Sequence, residues 1–373
     1  MRTRSGFATK PVVAILALAA AVAGWVVYNE SSSGDRERKV LADRSVNTLF
    51  TNMPRDEKMD AVYFDTDLDL VADTPEEATL LAKPTELVFS FVATDNSSND
   101  AAVWEAAVEA ISEKTGLPVS YLRLVDTRKQ MAALRGGQLH ITAFDSGSVP
   151  VAVKHAGFIP LCTISNAEGS DPKAKAGEAE SPKTEKAATG QFGYKMQFIV
   201  KVDSQIKDLA DLRGKNIAFV RPNSNSGCKA AMVHLWQMDL RPEHDYNWHF
   251  TLSHANSVRN VTEGRADAAP VASDILQRLV SKGDVARDSF RVIYESSLFP
   301  PVAVGCSYNL PSKLREEIRD ALLNLDWTDT TLAKEMAPGE PKKFVPVVYR
   351  DDWASVRAVD QAVSSVRDQI AVR

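Results

Sequence analysis

Hydrophobic positions along this chain alternate between short continuous runs and stripes that recur every three or four residues, the mark of strands interleaved with helices. The run at 87–92 (LVFSFV) reads as a buried strand. A loop at 94–99 then leads into a helix whose apolar stripe is Val103, Trp104, Ala107, Val108 and Ile111, stopped at Gly116. Residues 130–145 (QMAALRGGQLHITAFD) and 258–273 (VRNVTEGRADAAPVAS) share one layout: a short helix, a stop at Gly137 or Gly264, then a strand of small apolar residues. Two α/β lobes built alike are the simplest explanation. The pattern predicts a first lobe over 87–203, a second lobe over 204–294 and a return to the first lobe over 295–373. Two crossings make a hinge, with a ligand cleft between the lobes.

Three segments depart from this pattern. Residues 29–86 are polar and acidic with little periodic hydrophobicity, and read as a tether with room for one docked hairpin. Residues 167–190 contain no Val, Ile, Leu, Met or aromatic side chain, which predicts a disordered surface insertion. At the N-terminus, Arg2, Arg4 and Lys10 precede an apolar run over 11–28, with Ala21-Val22-Ala23 offering a small-residue cleavage site. Because Trp25-Val26-Val27 prolongs that run, 1–28 is either a cleaved signal peptide or an N-terminal membrane anchor. Both place the remainder in a periplasmic or otherwise extracytoplasmic space. Cys162, Cys228 and Cys306 are too few for a disulfide framework. The net charge of −5 over 373 residues argues against a nucleic-acid partner. Any attraction for an anion must therefore be local.

The sharpest local motif is the strand-to-helix passage 219–236, FVRPNSNSG followed by CKAAMVHLW. The first N–H groups of such a helix have no intrahelical partner and sit at the positive end of its dipole, where an oxyanion is a natural occupant. Ser224, Asn225 and Ser226 add side-chain donors, and Gly227 permits close approach. The competing reading is an ordinary cap, with Ser226 closing the helix. The spacing is not that of a nucleotide-binding G-x-x-x-x-G-K-[ST] loop.

From 195 to 326 the chain resembles the phosphonate, phosphite and phosphate-binding family of ABC-transporter periplasmic components. The resemblance runs through IKDLADLRGKNIAFVRPNSNSG, FTLSHANSVRNVTEGRADAAPVASD, FRVIYESSLFPPVAVGC and LPSKLREEIRDALL, and more weakly over 87–164. It implies an α/β fold, a two-lobe type II periplasmic binding protein with a hinge of two crossing strands and an inter-lobe ligand cleft. It also implies a monomeric solute-binding protein, non-enzymatic and without cofactor, that captures a small oxyanion for an ABC transporter permease. The family's anion loop falls on Ser224, Asn225, Ser226 and Gly227, with Asn225 in place of Thr, and its ligand-contacting His falls on His254. Departures lie at Cys228 and Thr127, where the family has Tyr, and at Ala272, where it has an acidic residue. The resemblance thus leaves no acidic group to hold an aminoalkyl tail, so a compact oxyanion is expected. In the first-lobe loop Phe144-Asp145-Ser146-Gly147-Ser148, Asp145 either accepts a proton from the ligand and so rejects sulfate, or forms a turn. Thr94, Asp95 and Asn96 reach the same cleft by topology.

Outside that resemblance, Asp65, Asp67, Asp69, Asp73 and Glu76 stand at positions 1, 3, 5, 9 and 12 of a loop, the spacing of oxygen ligands around Ca²⁺. Leu70 occupies the position where that loop's sharp turn wants Gly, so a solvated acidic stretch is the default and no metal is assigned. Three alternatives stay open: a binding module that signals to a membrane sensor kinase, a hydrolase using Ser226, His254 and Asp145, and a degenerate homologue that binds nothing. No G-x-S-x-G elbow supports the second.

Overall fold

The computed structural model describes residues 45, 49, 50, 53, 58–92, 101–166, 193–336 and 342–371. The signal or anchor at 1–28, the insertion at 167–190 and residues Thr94, Asp95 and Asn96 lie outside the described residues. Within them, no helix is long and apolar enough to cross a membrane.

The apolar run at 87–92 forms β1 (Leu87–Phe91), and the stripe behind it forms α1 (Ala101–Thr115). Val103, Trp104, Ala107 and Ile111 recur every three or four residues, so they share the buried face. Next come β2 (Val119–Tyr121), α2 (Thr127–Arg135), β3 (Ile141–Phe144), α3 (Val149–Ala156) and β4 (Phe158–Asn166). The middle of the chain supplies β5 (Tyr194–Lys201), β6 (Asn216–Phe219), α4 (Ala230–Gln237), β7 (Asn247–Phe250), α5 (His254–Thr262), β8 (Ala268–Ala272), α6 (Ser273–Ser281) and β9 (Phe290–Phe299). The last part supplies β10 (Ala303–Ser307), α7 (Ser312–Leu323), α8 (Thr331–Met336), β11 (Lys342–Pro346), α9 (Tyr349–Asp352) and α10 (Ala354–Ala371).

These strands form two sheets, ordered β11-β4-β10-β3-β1-β2 and β7-β6-β8-β5-β9. In the first, β2, β1 and β3 run parallel, β10 is antiparallel to β3, and β4 pairs antiparallel with both β10 and β11. In the second, β7, β6 and β8 run parallel, β5 is antiparallel to β8, and β9 is antiparallel to β5. The same five-strand plan therefore occurs twice. Each lobe takes the strand beside its last parallel one from a chain segment arriving from the other lobe, β10 following β9 and β5 following β4. The repeated helix, Gly and strand layout is α2–β3 in one lobe and α5–β8 in the other, with Gly137 and Gly264 in matching left-handed turns at φ +71° and +74°.

Two organisational expectations need correcting. The second sheet begins at Tyr194 in β5 rather than at 204 and ends at Phe299 rather than 294. An apolar strand such as 195–202 looks the same whichever sheet it joins, and only its pairing with β8 decides. Residues 29–86 are also not simply a tether. Leu49, Phe50, Met53, Tyr63 and Ala72 are buried in the core, Phe50 meets Trp236 edge-on, and Asp60 pairs with Arg135 and His155. Sparse apolar residues without periodicity still fill gaps between elements, which periodicity alone cannot register.

The C-terminal return is likewise divided. β11 joins the first sheet, whereas Trp353, Val356 and Val363 of the last turn and α10 share an apolar cluster with Ala231 and Leu235 of α4 and with Phe144 and Val153 of the first lobe. At the centre of this junction Lys229, wholly buried, pairs with buried Asp360 of α10. Asp360→Ala is expected to lower unfolding free energy by about 3–5 kcal/mol by leaving a buried ammonium uncompensated. The apolar pair Lys229→Met with Asp360→Leu recovers most of that loss, both read from urea unfolding midpoints of the full chain.

Candidate functional site

Between the lobes lies a cavity of about 160 Å³, lined from the second lobe by the loop after β6 and the starts of α5 and α6, and from the first lobe by the loop after β3. The loop after β6 enters α4 through a π-helical turn, Asn225–Lys229, wider than an α turn. Ser224, not Ser226, is the cap: its Oγ accepts from Gly227 N at 3.1 Å. Freed from capping, Ser226 lines the cavity together with Ser224 and Asn225, all three buried. Gly227 does not line it. A Cβ there would meet Val220 Cγ2 at 2.4 Å, so this glycine serves the packing of the turn on its own strand rather than approach to a ligand.

His254 opens α5 behind the cap Ser253 and lines the same cavity. Its Nδ1 accepts a hydrogen bond from Ala272 N at 3.3 Å, which leaves Nε2 as the N–H in the neutral ring. Burial, with the Arg221 charge adding to it, lowers its pKa to about 3, so the imidazole is a neutral donor at physiological pH. Tyr194 stands nearby with its hydroxyl among Ser146, Asn225 and Ser226, and burial pushes its pKa up to about 12 against those hydrogen bonds. Asn225 Nδ2 reaches Tyr194 Oη at 3.4 Å.

From the first lobe come Asp145 and Ser146. Asp145 Oδ1 accepts from Ser148 N at 2.9 Å, the turn-forming role, while its Oδ2 faces Arg221 Nη2 of the second lobe at 3.3 Å. The turn-forming reading of Asp145 is seen at Oδ1, while Oδ2 is engaged by Arg221. The two loops touch closely: a Cβ on Gly147 would meet Asn223 O at 2.4 Å and Asn225 N at 2.8 Å. Lys229 Nζ also donates to Gly147 O at 3.2 Å, and Trp353 Nε1 donates to Ser146 O at 3.2 Å.

Thr127 is not among the cavity residues; it begins α2 behind the cap Asp126, whose carboxylate accepts from Lys129 N. Cys228 is buried within the π turn and Ala272 lines the cavity. The expectation that no acidic group is present fails two residues later. Asp274, at the start of α6, lines the same cavity, its Oδ1 buried without a partner and its pKa raised by burial. Arg221, Arg278, Lys342 and Tyr194 are further polar lining groups that motif reading passed over. Arg221 was visible inside the anion-loop motif as a cation beside its donors. The others come from separate segments with no local signature. Asp145 turns to Arg221 and Ser148, and His254 to Ala272, so Ser226, His254 and Asp145 do not form a nucleophile, base and orienter chain.

In the acidic loop, Asp65, Asp67 and Asp69 bring carboxylate oxygens within 4.8 Å of one another, while Asp73 and Glu76 stay outside that group. Asp73 instead accepts from Thr66 N at 2.8 Å. Leu70 takes the left-handed turn at φ +70°.

Residues 89–353 match the model of the family described as ABC transporter, phosphonate, periplasmic substrate-binding protein. The chain is 21% identical over 261 residues to the phosphate-import protein PhnD of Mycolicibacterium smegmatis, covering 67% of this chain and 74% of that protein. Its fold resembles XAC2383 of Xanthomonas citri bound to ATP (TM-score 0.59, 16% identity, 76% of this chain and 99% of that one). It also resembles PhnD1 of Prochlorococcus marinus in complex with methylphosphonate (TM-score 0.57, 13% identity, 74% and 97%).

Two outcomes follow from this geometry. Gly147→Ala places a methyl against backbone that cannot yield. It should cost about 1–3 kcal/mol in thermal unfolding and part the two loops, seen as a larger radius of gyration in solution scattering. His254 has a folded pKa below its unfolded one, so between pH 6.5 and about 3 the unfolded chain binds a proton that the folded chain refuses. Stability contributed here is present above that window and lost as pH falls through it. His254→Gln, which keeps an acceptor for Ala272 N, should remove about one proton from the uptake on unfolding measured across that range.

Proposed function

This chain belongs to the family of periplasmic substrate-binding proteins of phosphonate ABC transporters, and on that premise we propose that its inter-lobe cavity captures a small oxyanion of the phosphate, phosphite or phosphonate kind through Ser224, Asn225, Ser226, Ser146 and His254. The observation that carries the reading is the convergence of the π-turn loop and the first-lobe loop on one cavity, where neutral donors stand beside the cations Arg221, Arg278 and Lys342. Donors fixed in advance and shielded from water bind an anion without the cost of reorganising them. His254 fits because its uncharged ring still offers Nε2–H.

Capture from both sides draws the lobes together, and a membrane permease reads that closed form. The N-terminal signal or anchor delivers the protein to the outer face of the membrane where the permease lies. The cavity also holds apolar lining from Phe91, Ile164, Ile275, Val302 and Met336. At about 160 Å³ it is comparable with engineered cavities of about 150 Å³ that admit benzene, so an organic substituent on a phosphonate fits beside the anion. An aminoalkyl group would find the Asp274 carboxylate there.

The test is a thermal-shift panel on the full chain with phosphate, phosphite, methylphosphonate and aminoethylphosphonate. A ligand at ~100 times its Kd adds about 2.7 kcal/mol, or several degrees in Tm. Ser226→Ala should then weaken the best ligand roughly ten- to hundred-fold in titration calorimetry, the loss of a charge-assisted hydrogen bond. No shift with any of the four anions overturns the proposal.

A further inference from the structure

The cavity carries polar groups that the donor loops do not account for. Away from the Asp145 loop it is lined by Ser165 of β4, by Asp274, Ile275 and Arg278 of α6, by Met336 at the end of α8 and by Lys342 at the start of β11. In the first sheet β11 stands three strand spacings from β3, which separates the two strands by roughly 14 Å. On α6, Asp274 and Arg278 are four residues apart and so share one face. Tyr194 borders both sets of groups: its hydroxyl lies among Ser146, Asn225 and Ser226, and the Asp274 charge acts on it.

Two atoms on this flank, Ser165 Oγ and Asp274 Oδ1, are buried with no hydrogen-bond partner. A buried hydroxyl and a buried carboxylate oxygen each cost stability that a ligand group of matching character returns. Beside them stand two cations. Burial works against the Arg278 charge and the Glu335 carboxylate sustains it, but Glu335 is held by Lys282 Nζ at 2.8 Å and does not line the cavity. The wall here therefore presents Arg278 and Lys342 against the single acid Asp274. An amine alone would answer Asp274 and add a third cation beside the other two. A carboxylate alone would answer the cations and set negative charge against Asp274. An amine and a carboxylate on one carbon answer every group at once.

We propose that this flank is a second ligand subsite, shaped for an amino-carboxylate head: Arg278, Lys342 and the Ser165 hydroxyl hold the carboxylate, Asp274 takes the ammonium, and the phosphonate group stays at the donor loop. The substrate class is then phosphonates whose short carbon chain ends in an amino-acid group. Ile275 and Met336 give the carbons of that chain an apolar wall. The assignment rests on the anion-binding reading above and names the substrate class of that same site.

Four ligands separate the contributions: ethylphosphonate, 2-aminoethylphosphonate, 3-phosphonopropionate and 2-amino-3-phosphonopropionate, which carry neither group, the amine, the carboxylate and both. In titration calorimetry of the full chain, 2-amino-3-phosphonopropionate should bind roughly tenfold or more tightly than 2-aminoethylphosphonate, the contribution of a charge-assisted contact to the carboxylate. Arg278→Gln and Lys342→Gln should each cut that ratio about threefold or more, and the double variant should bring it near one. Asp274→Asn should instead shrink the ratio of 2-amino-3-phosphonopropionate to 3-phosphonopropionate. A parent that binds ethylphosphonate or inorganic phosphate but gains less than about tenfold from the carboxylate overturns the subsite and leaves the anion-binding reading standing. Variants at Arg278 and Lys342 that keep the parent's ratio, or an Asp274→Asn variant that keeps the benefit of the amine, also overturn it. A parent that binds neither phosphate nor any of the four phosphonates overturns the anion-binding reading and this inference with it. The parent's four affinities need no substitution, so a variant that fails to fold cannot shield the proposal.

Discussion

Lys229 carries a full positive charge at a position with no exposed surface, and such a charge has to be answered by the protein around it. Its answers come from two distant parts of the chain: the Asp360 carboxylate on α10 and the Gly147 carbonyl in the first-lobe loop. Lys229 itself closes the π turn that presents Asn225 and Ser226 to the cavity. A single ammonium thus fixes the donor loop against the C-terminal helix and against the opposite lobe. Trp353, at the start of that helix, repeats the tie by donating to Ser146 O. Apolar packing alone, indifferent to small slips, would hold these pieces near one another; directional bonds from a buried charge hold them in register.

The chain as a whole is acidic, with a net charge of −5, so its overall field repels the anions its family takes up. The cavity answers by local means. Neutral donors dominate the polar lining, and burial keeps His254 uncharged. Arg221 faces a carboxylate, Asp145, instead of standing alone, and the Lys342 charge offsets part of the burial that raises the pKa of Asp274. Opposed charges of this kind partly offset one another at the cavity wall.

What could be read from sequence followed the range of the signals. The helix, Gly and strand unit is local, so its two copies at 130–145 and 258–273 were legible and implied two like lobes, and the donor loop 224–226 stood out because strand, polar loop and helix are adjacent in the chain. Register and partnership are not local. Nothing in 195–202 says that this strand pairs with β8, and nothing in Leu49 or Phe50 says that they will meet α4 and α10. The misassigned residues fail for related reasons. Thr127, which stands where the family has a tyrosine, starts α2 away from the cavity, and Gly227, adjacent to the donors in the motif, packs on Val220 instead of lining it. Asp274 carries no motif of its own, because the cavity wall continues past the strand end at Ala272 into the first turn of α6.

Closure in such a protein is an equilibrium between separated and apposed lobes, and a ligand can shift it only by the difference in its affinity for the two. Here apposition has protein contacts of its own: Arg221 with Asp145, Asn223 Nδ2 with Ser148 Oγ at 3.3 Å, and the Gly147 backbone against Asn223 and Asn225. Each lowers the amount of ligand energy that closing requires. The Arg221 and Asp145 contact differs from the rest in joining opposite charges at the cavity wall, where burial of most of both side chains limits screening by water. Such an attraction falls off gradually as the loops part, whereas the close backbone approach at Gly147 is lost at the first separation, so the ion pair acts over the widest range of lobe positions and the backbone contact fixes the final one.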